Sequence, residues 1–333
     1  MNEPADTPKF VILGQPMGGT LAAAEAAGAI AASPHISKLA QKIITLHSLP
    51  VSKTIIELPF TGLWDSKLFD TSRLSQDDTV YFLFYEGTAF SYSRNYLKHL
   101  RKKYKHCRLI HLFRNPMSGV HIPILKKWQT VRDYYDLSVT LVMADAERLG
   151  IAFCDYWPCL LPDKDFQPEN ASDVFFVAQA KDRLPVTLDV YERLADAGLK
   201  CSFYVAGIPE SGQKYADVIH YNHWISYDEV LQHVRNTKCV LEILPFGQHY
   251  SSLRVCEALW YRKKLLTTNM EAPREWFYHP EIVQCFRKAQ DIDTEFITKT
   301  LDSEAESRIF GRMNVGDFQV FASRLIDLVN NIC

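Results

Sequence analysis

Residues 238 to 268, KCVLEILPFGQHYSSLRVCEALWYRKKLLTT, decide the fold. Val240 to Leu244 reads as the short apolar run that a parallel strand buried on both faces requires. Leu253, Cys256, Leu259 and Trp260 then recur at helical spacing, and a second strand follows. The loop Gly247 to Ser252 therefore falls at a strand's carboxyl end, the edge at which open α/β sheets bind ligands. A helix opening near Ser251 and Ser252 presents free N–H groups there, and Glu257 points inward from it, so the unit can cradle a diphosphate.

The same alternation extends in both directions. Upstream, strand-like runs at Phe10 to Leu13, Thr79 to Tyr85, Arg108 to Phe113 and Leu137 to Met143 alternate with helical runs at Thr20 to Ala31, Ser93 to Tyr104, Leu125 to Tyr134 and Ala144 to Leu149. A proline-punctuated polar stretch, Trp157 to Asp165 and then Gln167 to Asn170, has neither periodicity and marks a domain boundary. Beyond it the pattern restarts with strand Val174 to Ala178, helix Pro185 to Ala197, strands Ser202 to Ala206 and Val218 to Tyr221, and helix Ser226 to Asn236. An amphipathic helix, roughly Val315 to Asn330, ends the chain through Phe318, Phe321, Leu325, Leu328 and Val329. The expected fold class is α/β, with two Rossmann-like domains facing a central cleft. Residues 1–165 form the first, residues 166–312 the second, and residues 313–333 a C-terminal helix that packs back on the first. Gly14-Gln15-Pro16-Met17-Gly18-Gly19 departs from the GxGxxG spacing, which argues against tight NAD or FAD binding.

Composition narrows the partners. A chain of 333 residues exceeds the size of a typical single core. With 47% hydrophobic and 23% charged residues and a net charge of −2, it reads as an ordinary globular protein without a bulk nucleic-acid partner. Eight cysteines without a CxxC pair read as buried reduced thiols of a cytosolic protein. The Ala/Gly-rich run Phe10 to Ala32 is interrupted by Gln15, Pro16 and Glu25, against a targeting peptide. No HxH pair and no Cys/His cluster at ligand spacing occurs, so no metal is expected.

On three segments the second half resembles the donor domain of the GT-B glycosyltransferases. Phe175 to Arg183, FFVAQAKDR, resembles the family's opening strand and basic loop, and Lys200 to Gly207, KCSFYVAG, the next strand with its terminal glycine. His249 to Glu257, HYSSLRVCE, falls on the family's E-x7-E signature, with Glu257 on the second glutamate, His249 replacing the first, and Tyr250 replacing a glycine. The resemblance implies a metal-independent transferase moving a hexosyl or related group from a nucleotide-sugar to a glycan or lipid-linked acceptor, in polysaccharide or lipopolysaccharide biosynthesis. It needs no cofactor beyond its nucleotide-sugar substrate. The implied donor contacts are Gln179, Lys181 and Arg183 on the basic loop, Ile225 at the base, and Ser251, Ser252, Leu253 and Arg254 at the helix start. Glu257 is expected on the ribose, since one carboxylate can accept a hydrogen bond from each hydroxyl of a vicinal diol. His249 takes the catalytic signature position. His223-Trp224-Ile225 sits where the family clasps the base; for Trp224 a hydrophobic loop anchor is the alternative.

In the first half, Glu86 and the run Arg114-Asn115-Pro116 end strands, and both are expected to face the cleft. Glu86 is the candidate base on an acceptor hydroxyl if configuration inverts, with Asp133 and Asp145 behind it. Arg114 and Asn115 are the candidate acceptor-side residues. Arg94, Lys98, Arg101, Lys102, Lys105 and Arg108 recur at helical spacing with no acid among them, a cationic face that suits peripheral contact with anionic lipid at the inner membrane face. Two further readings remain open: a non-catalytic partner or sugar-binding protein of the same fold, and a nucleotide-sugar epimerase.

Overall fold

Strands whose successive residues enter opposite apolar layers build the first sheet. The computed structural model describes residues 7–14, 19–31, 61–88, 90–118, 121–161, 169, 171–248 and 250–332. Two compact units divide the chain, Met1–Leu160 with Gly316–Cys333, and Leu161–Val315. In the first unit, β1 (Lys9–Leu13), β2 (Thr79–Tyr85), β3 (His106–Phe113), β4 (Leu137–Thr140) and β5 (Ala152–Phe153) lie in that order, every neighbouring pair parallel. Val80, Phe82 and Phe84 enter the core on one face while Tyr81, Leu83 and Tyr85 enter the core on the other. Burial of each such side chain contributes about 1.5–3 kcal/mol, which is why the strands read as continuous apolar runs. The C-terminal helix Phe318–Ile332 adds Phe318, Phe321, Leu325 and Val329 to the second of these cores.

Two helical runs end earlier than their periodicity suggests. The first helix is Thr20–Ala26; Gly28 then takes a left-handed φ of 82°, and Ile30 turns back to bridge Val11 of β1. The next helix in question is Ile122–Gln129, after which the Thr130 hydroxyl bonds the Lys127 carbonyl at 2.7 Å and the chain continues as a 3-10 turn at Arg132–Tyr134.

The two-residue β6 (Trp157–Pro158) follows in the first unit. The second unit contains β7 (Ser172–Gln179), β8 (Cys201–Ala206), β9 (Ile219–Tyr221), β10 (Thr237–Glu242), β11 (Lys264–Thr267) and β12 (Val283–Cys285). Their order is β12-β11-β10-β7-β8-β9, all parallel. This is doubly wound topology: the chain runs outward from β7 to β9, then returns to place β10 on the other side of β7. The crevice beyond the carboxyl ends of β7 and β10 is the switch point, where such sheets take ligands.

One element of the deciding segment differs from its sequence reading. The strand is Thr237–Glu242, and Glu242 interrupts the supposed apolar run Val240 to Leu244 with a side chain that is 3% exposed. Cys239 and Leu241 enter one core layer, so Glu242 alternates onto the opposite face, level with Thr267 of β11.

Candidate functional site

At the switch point, a cavity of 250 Å³ is lined by Phe176, Val177 and Ala178 of β7, by Lys181 and Arg183 beyond it, by residues 241–245 of β10 and its continuation, and by Gln248, Tyr250, Ser252, Leu253 and Arg254. Lys181 holds a left-handed φ of 46°, which costs a non-glycine residue roughly 1–2 kcal/mol and turns the chain sharply after β7. Lys181 is exposed, whereas Arg183 is half-buried. The Arg183 guanidinium donates to the Ile243 carbonyl at 2.8 Å and to the Gln179 carbonyl, tying the ends of β10 and β7 together. Burial lowers its pKa from an already high value, so it stays a cation. Its Nε is buried and has no hydrogen-bond partner among the described residues. Asp182 completes the strap by accepting the Phe246 N–H at 2.8 Å.

The loop after β10 is fixed at several points. Leu244 N–H donates to the Thr268 hydroxyl at 2.9 Å. Gln248 N–H donates to the Pro245 carbonyl at 3.1 Å, with Gly247 at φ 73° in the third place of the turn, a position that favours glycine. The turn presents Phe246, which is 96% exposed. His249, the expected catalytic signature residue, lies outside the described residues. Ser252 caps the helix Leu253–Trp260, its hydroxyl accepting the Arg254 N–H at 3.2 Å. The neighbouring Ser251 hydroxyl oxygen is buried without a partner among the described residues.

Two buried carboxylates stand behind this lining. Glu242 accepts the Ser252 N–H at 2.7 Å and the Thr267 hydroxyl at 2.6 Å. Burial raises its pKa, an effect that bonds from Ser252 and Thr267 and the charge of Arg254 oppose. Glu257 is 0% exposed and lies 2.5 Å from the Arg254 guanidinium, close enough for an ion pair although angled poorly for a hydrogen bond. Burial pushes the Glu257 carboxyl up to about 7, against the lowering effect of Arg254 and a hydrogen bond from Tyr227.

The structure thus gathers Lys181, Arg183, Ser252, Leu253 and Arg254 around one cavity. Gln179, Ile225, Ser251 and Glu257 do not line it. Gln179 contributes its carbonyl to Arg183, and Glu257 reaches the cavity through Arg254. Trp224 is 84% exposed, so it anchors nothing within its own unit. Glu242 escaped the sequence reading, although a lone acid in a central strand signals a buried polar contact, because such a group must be hydrogen-bonded to be tolerated.

Three solved structures resemble the chain over nearly its whole length. An α,α-trehalose-phosphate synthase (UDP-forming) from Burkholderia vietnamiensis matches at TM-score 0.56 and 12% identity, covering 98% of this chain and 100% of that one. Another from Burkholderia xenovorans, solved with glucose-6-phosphate, matches at TM-score 0.55 and 11% identity over 97% of this chain and 99% of that one. A glycosyltransferase from Rickettsia africae matches at TM-score 0.50 and 10% identity over 99% of both chains. The fold is GT-B. No family model matches the chain, and no curated protein does.

In the first GT-B unit, Glu86 is already occupied. Its carboxylate accepts the Arg114 N–H at 2.8 Å, the Asn115 N–H at 3.1 Å and the Asn115 side-chain amide at 2.6 Å. It clamps the loop after β3, a structural role that the sequence reading did not assign to it. Arg114 and Asn115 are brought to Glu86 chiefly through main-chain groups, while the Arg114 Nη1 is buried without a partner among the described residues. Asp145 does similar work, accepting the Met117 N–H at 2.6 Å and pairing with Arg148 at 2.5 Å. Asp133 is on the surface beside Arg132.

The cationic residues 94–108 are divided between two elements. The helix is Arg94–Lys103, and Arg108 belongs to β3. Arg94 donates to the Thr130 carbonyl at 3.0 Å, Lys98 sits 5.6 Å over the Tyr134 ring, and Arg101 bonds the Tyr134 carbonyl at 2.8 Å and Asp136 at 3.0 Å. One stripe of the helix is therefore spent on residues 130–136. Lys105 pairs with Asp77, leaving Lys102 and Arg108 exposed on separate elements.

Two D-x-D sequences are present, contrary to a metal-free reading of motifs alone: Asp163-Lys164-Asp165, outside the described residues, and Asp291-Ile292-Asp293. In the second, Asp291 accepts the Arg287 and Lys288 N–H groups and Asp293 caps the helix Thr294–Thr298, so both act as caps. Among the described residues no group of three His, Cys, Asp or Glu side chains is placed to hold a metal, and no helix is long and apolar enough to cross a membrane.

Proposed function

We propose that the chain is a glycosyltransferase whose second unit binds a nucleotide-diphosphate sugar at the β7/β10 switch point. The observation that carries this reading is the convergence of Lys181, Arg183, Arg254 and a capped helix N-terminus on one 250 Å³ cavity. The three cations suit a diphosphate, both when bound and when it departs as the leaving group, while the Ser252 and Arg254 N–H groups at the helix start are held by Glu242 and by the Ser252 hydroxyl. The buried Arg183 Nε, unpartnered among the described residues, is a further group a polar ligand would satisfy. Glu257 holds Arg254; with Arg254 drawn to phosphate, its carboxylate becomes available to the ribose hydroxyls.

The acceptor is a glycan or a lipid-linked sugar, and transfer proceeds without a metal. UDP, GDP, ADP and TDP tested singly should include at least one that raises the melting temperature, with Arg254→Ala losing that shift. No shift with any of the four defeats the reading. Transfer should survive EDTA, and the anomeric coupling in the product's proton spectrum reports retention or inversion. Donor binding without hydrolysis or transfer to any acceptor would favour the non-catalytic alternative.

A further inference from the structure

Glu242 places a carboxylate where a diphosphate is proposed to bind. It lines the same cavity as Lys181, Arg183 and Arg254. One oxygen accepts the Ser252 N–H, at the opening of the helix Leu253–Trp260, and the other accepts the Thr267 hydroxyl. The protein's own anion thus occupies one of the backbone donors at this helix start, of the kind a bound anion uses. The charged and titratable groups that face it come from every side: Arg254 from the helix, Arg183 from the loop after β7, Tyr250 from the loop before the helix and Cys285 from β12. Thr267 faces it from β11.

A diphosphate entering this cavity adds at least two negative charges beside a carboxylate that is almost fully removed from water. Like charges in such a place do not all remain ionised; the group most easily protonated takes a proton. A carboxylic acid can also occupy the position, at the cost of the bond the buried Thr267 hydroxyl now donates, since the Thr267 oxygen also accepts the Asn269 N–H. Its carbonyl oxygen still accepts the Ser252 N–H, and its O–H donates to the Thr267 oxygen, whose own hydrogen rotates away.

We propose that Glu242 couples donor binding to protonation: its carboxylate serves the cavity as an internal anion, and it takes one proton from solvent when a nucleotide-diphosphate ligand enters. This rests on the donor-binding reading above and adds the residue that sets its pH dependence. Burial raises the pKa of Glu242, in the same direction as the added ligand charge would. Reciprocity fixes the sign: if the ligand promotes protonation, affinity falls as pH rises. Glu242 also disfavours more highly charged ligands, so it discriminates against a free nucleoside diphosphate product relative to the donor sugar.

The test is calorimetry on the full chain with UDP-, GDP-, ADP- and TDP-glucose, in HEPES and in Tris at pH 8, two buffers of different ionisation enthalpy. The phosphates of these diesters do not titrate there, so any proton taken up belongs to the protein. The wild type should take up protons on binding, at most one through Glu242, with affinity falling as pH rises. Glu242→Gln, which keeps an acceptor for Ser252, should take up fewer protons than the wild type and lose the part of the pH dependence that Glu242 contributes, leaving only what the Arg254–Glu257 pair adds. Glu257→Gln should retain the uptake through Glu242, separating the two buried acids. Equal uptake in the wild type and Glu242→Gln, or binding by the wild type with no uptake, overturns the inference and leaves the donor reading standing. Should Glu242→Gln fail to fold, infrared difference spectra of the wild type decide: a carboxylic acid band must appear on binding, and its absence overturns the proposal. Failure of all four ligands to bind the wild type removes the donor reading, and this inference with it.

Discussion

Replacing Glu257 by glutamine should make the stability of the second unit less sensitive to alkali. The carboxyl is fully buried beside Arg254, and burial holds its pKa at about 7 against an ordinary value of 4.5. A folded-state pKa above the unfolded one means that the native protein holds the proton more tightly. The associated stability is present in full below pH 4.5 and is lost as pH rises through 7. The gap of 2.5 units amounts to roughly 3 kcal/mol over the whole range, of which about 2.5 kcal/mol falls between pH 5 and pH 8. Glutamine mimics the protonated acid at every pH, so the variant should follow the wild type near pH 5 and exceed it by about 2.5 kcal/mol at pH 8. Urea unfolding at pH 5, 6, 7 and 8, with the transitions of the two units fitted separately, measures the difference. A difference that stays constant across the series, or grows in favour of the wild type at high pH, refutes the assignment of Glu257 as an acid whose charge is disfavoured by burial.

Three other substitutions bear on different parts of the molecule. His111 is fully buried among Tyr92, Phe113 and Tyr135, with both ring nitrogens unpartnered among the described residues, and burial lowers its pKa to about 3. Its folded pKa is below the unfolded one, so stability is lost as pH falls from above 6.5 towards 3; His111→Phe should abolish about 3 kcal/mol of that loss between pH 7 and pH 4 in acid denaturation. Glu86→Ala leaves the Arg114 and Asn115 donors without their acceptor and should destabilise the first unit by about 2–3 kcal/mol, with Glu86→Gln costing less, both read from urea midpoints. Asp182→Ala frees the Phe246 N–H and loosens the strap between the two site loops; nucleotide affinity should fall by about fivefold in titration calorimetry, while an unchanged affinity would show that the strap does not organise the cavity.

The parts of the chain that were legible in sequence are those where burial acts on every residue. In β2, Val80, Phe82 and Phe84 serve one core and Tyr81, Leu83 and Tyr85 the other, so the two-sided requirement is written directly into the composition. Lys181, Arg183 and Arg254 were legible for a related reason, since topology alone brings the ends of β7 and β10 together. What sequence did not disclose was where polar side chains spend their bonds. Glu242 finds its donors ten and 25 residues away, at Ser252 and Thr267, and no local pattern announces them. The basic stripe on the helix Arg94–Lys103 is periodic, but its acceptors are the carbonyls of Thr130 and Tyr134, and a carbonyl is present at every position of a sequence. Glu86 was placed correctly at a strand end and assigned as a base, while the three donors that occupy it come from the loop after a different strand.

These hidden bonds explain how the cavity can concentrate positive charge without a ligand. Arg183 is fixed by two carbonyls and Arg254 by Glu257, so neither guanidinium must be ordered when an anion arrives. Such prior ordering lowers the entropic cost of binding, which is often about 0.5–1.5 kcal/mol for each long side chain immobilised. The two restraints differ in what they demand of a ligand. Carbonyls are neutral and can keep Arg183 in place while its charge acts on phosphate, whereas Glu257 neutralises Arg254 and must share or release it. A ligand that offered phosphate alone would have to leave the Glu257 carboxylate buried beside a weakened partner, a costly outcome at high pH. A ligand that offered phosphate to Arg254 and a pair of hydroxyls to Glu257 would satisfy both, so the Arg254–Glu257 pair favours nucleoside diphosphates over inorganic diphosphate. Titration with pyrophosphate against the tightest of UDP, GDP, ADP and TDP should show that preference in the wild type and a smaller one in Glu257→Ala; equal preference in both proteins would remove Glu257 from ribose recognition.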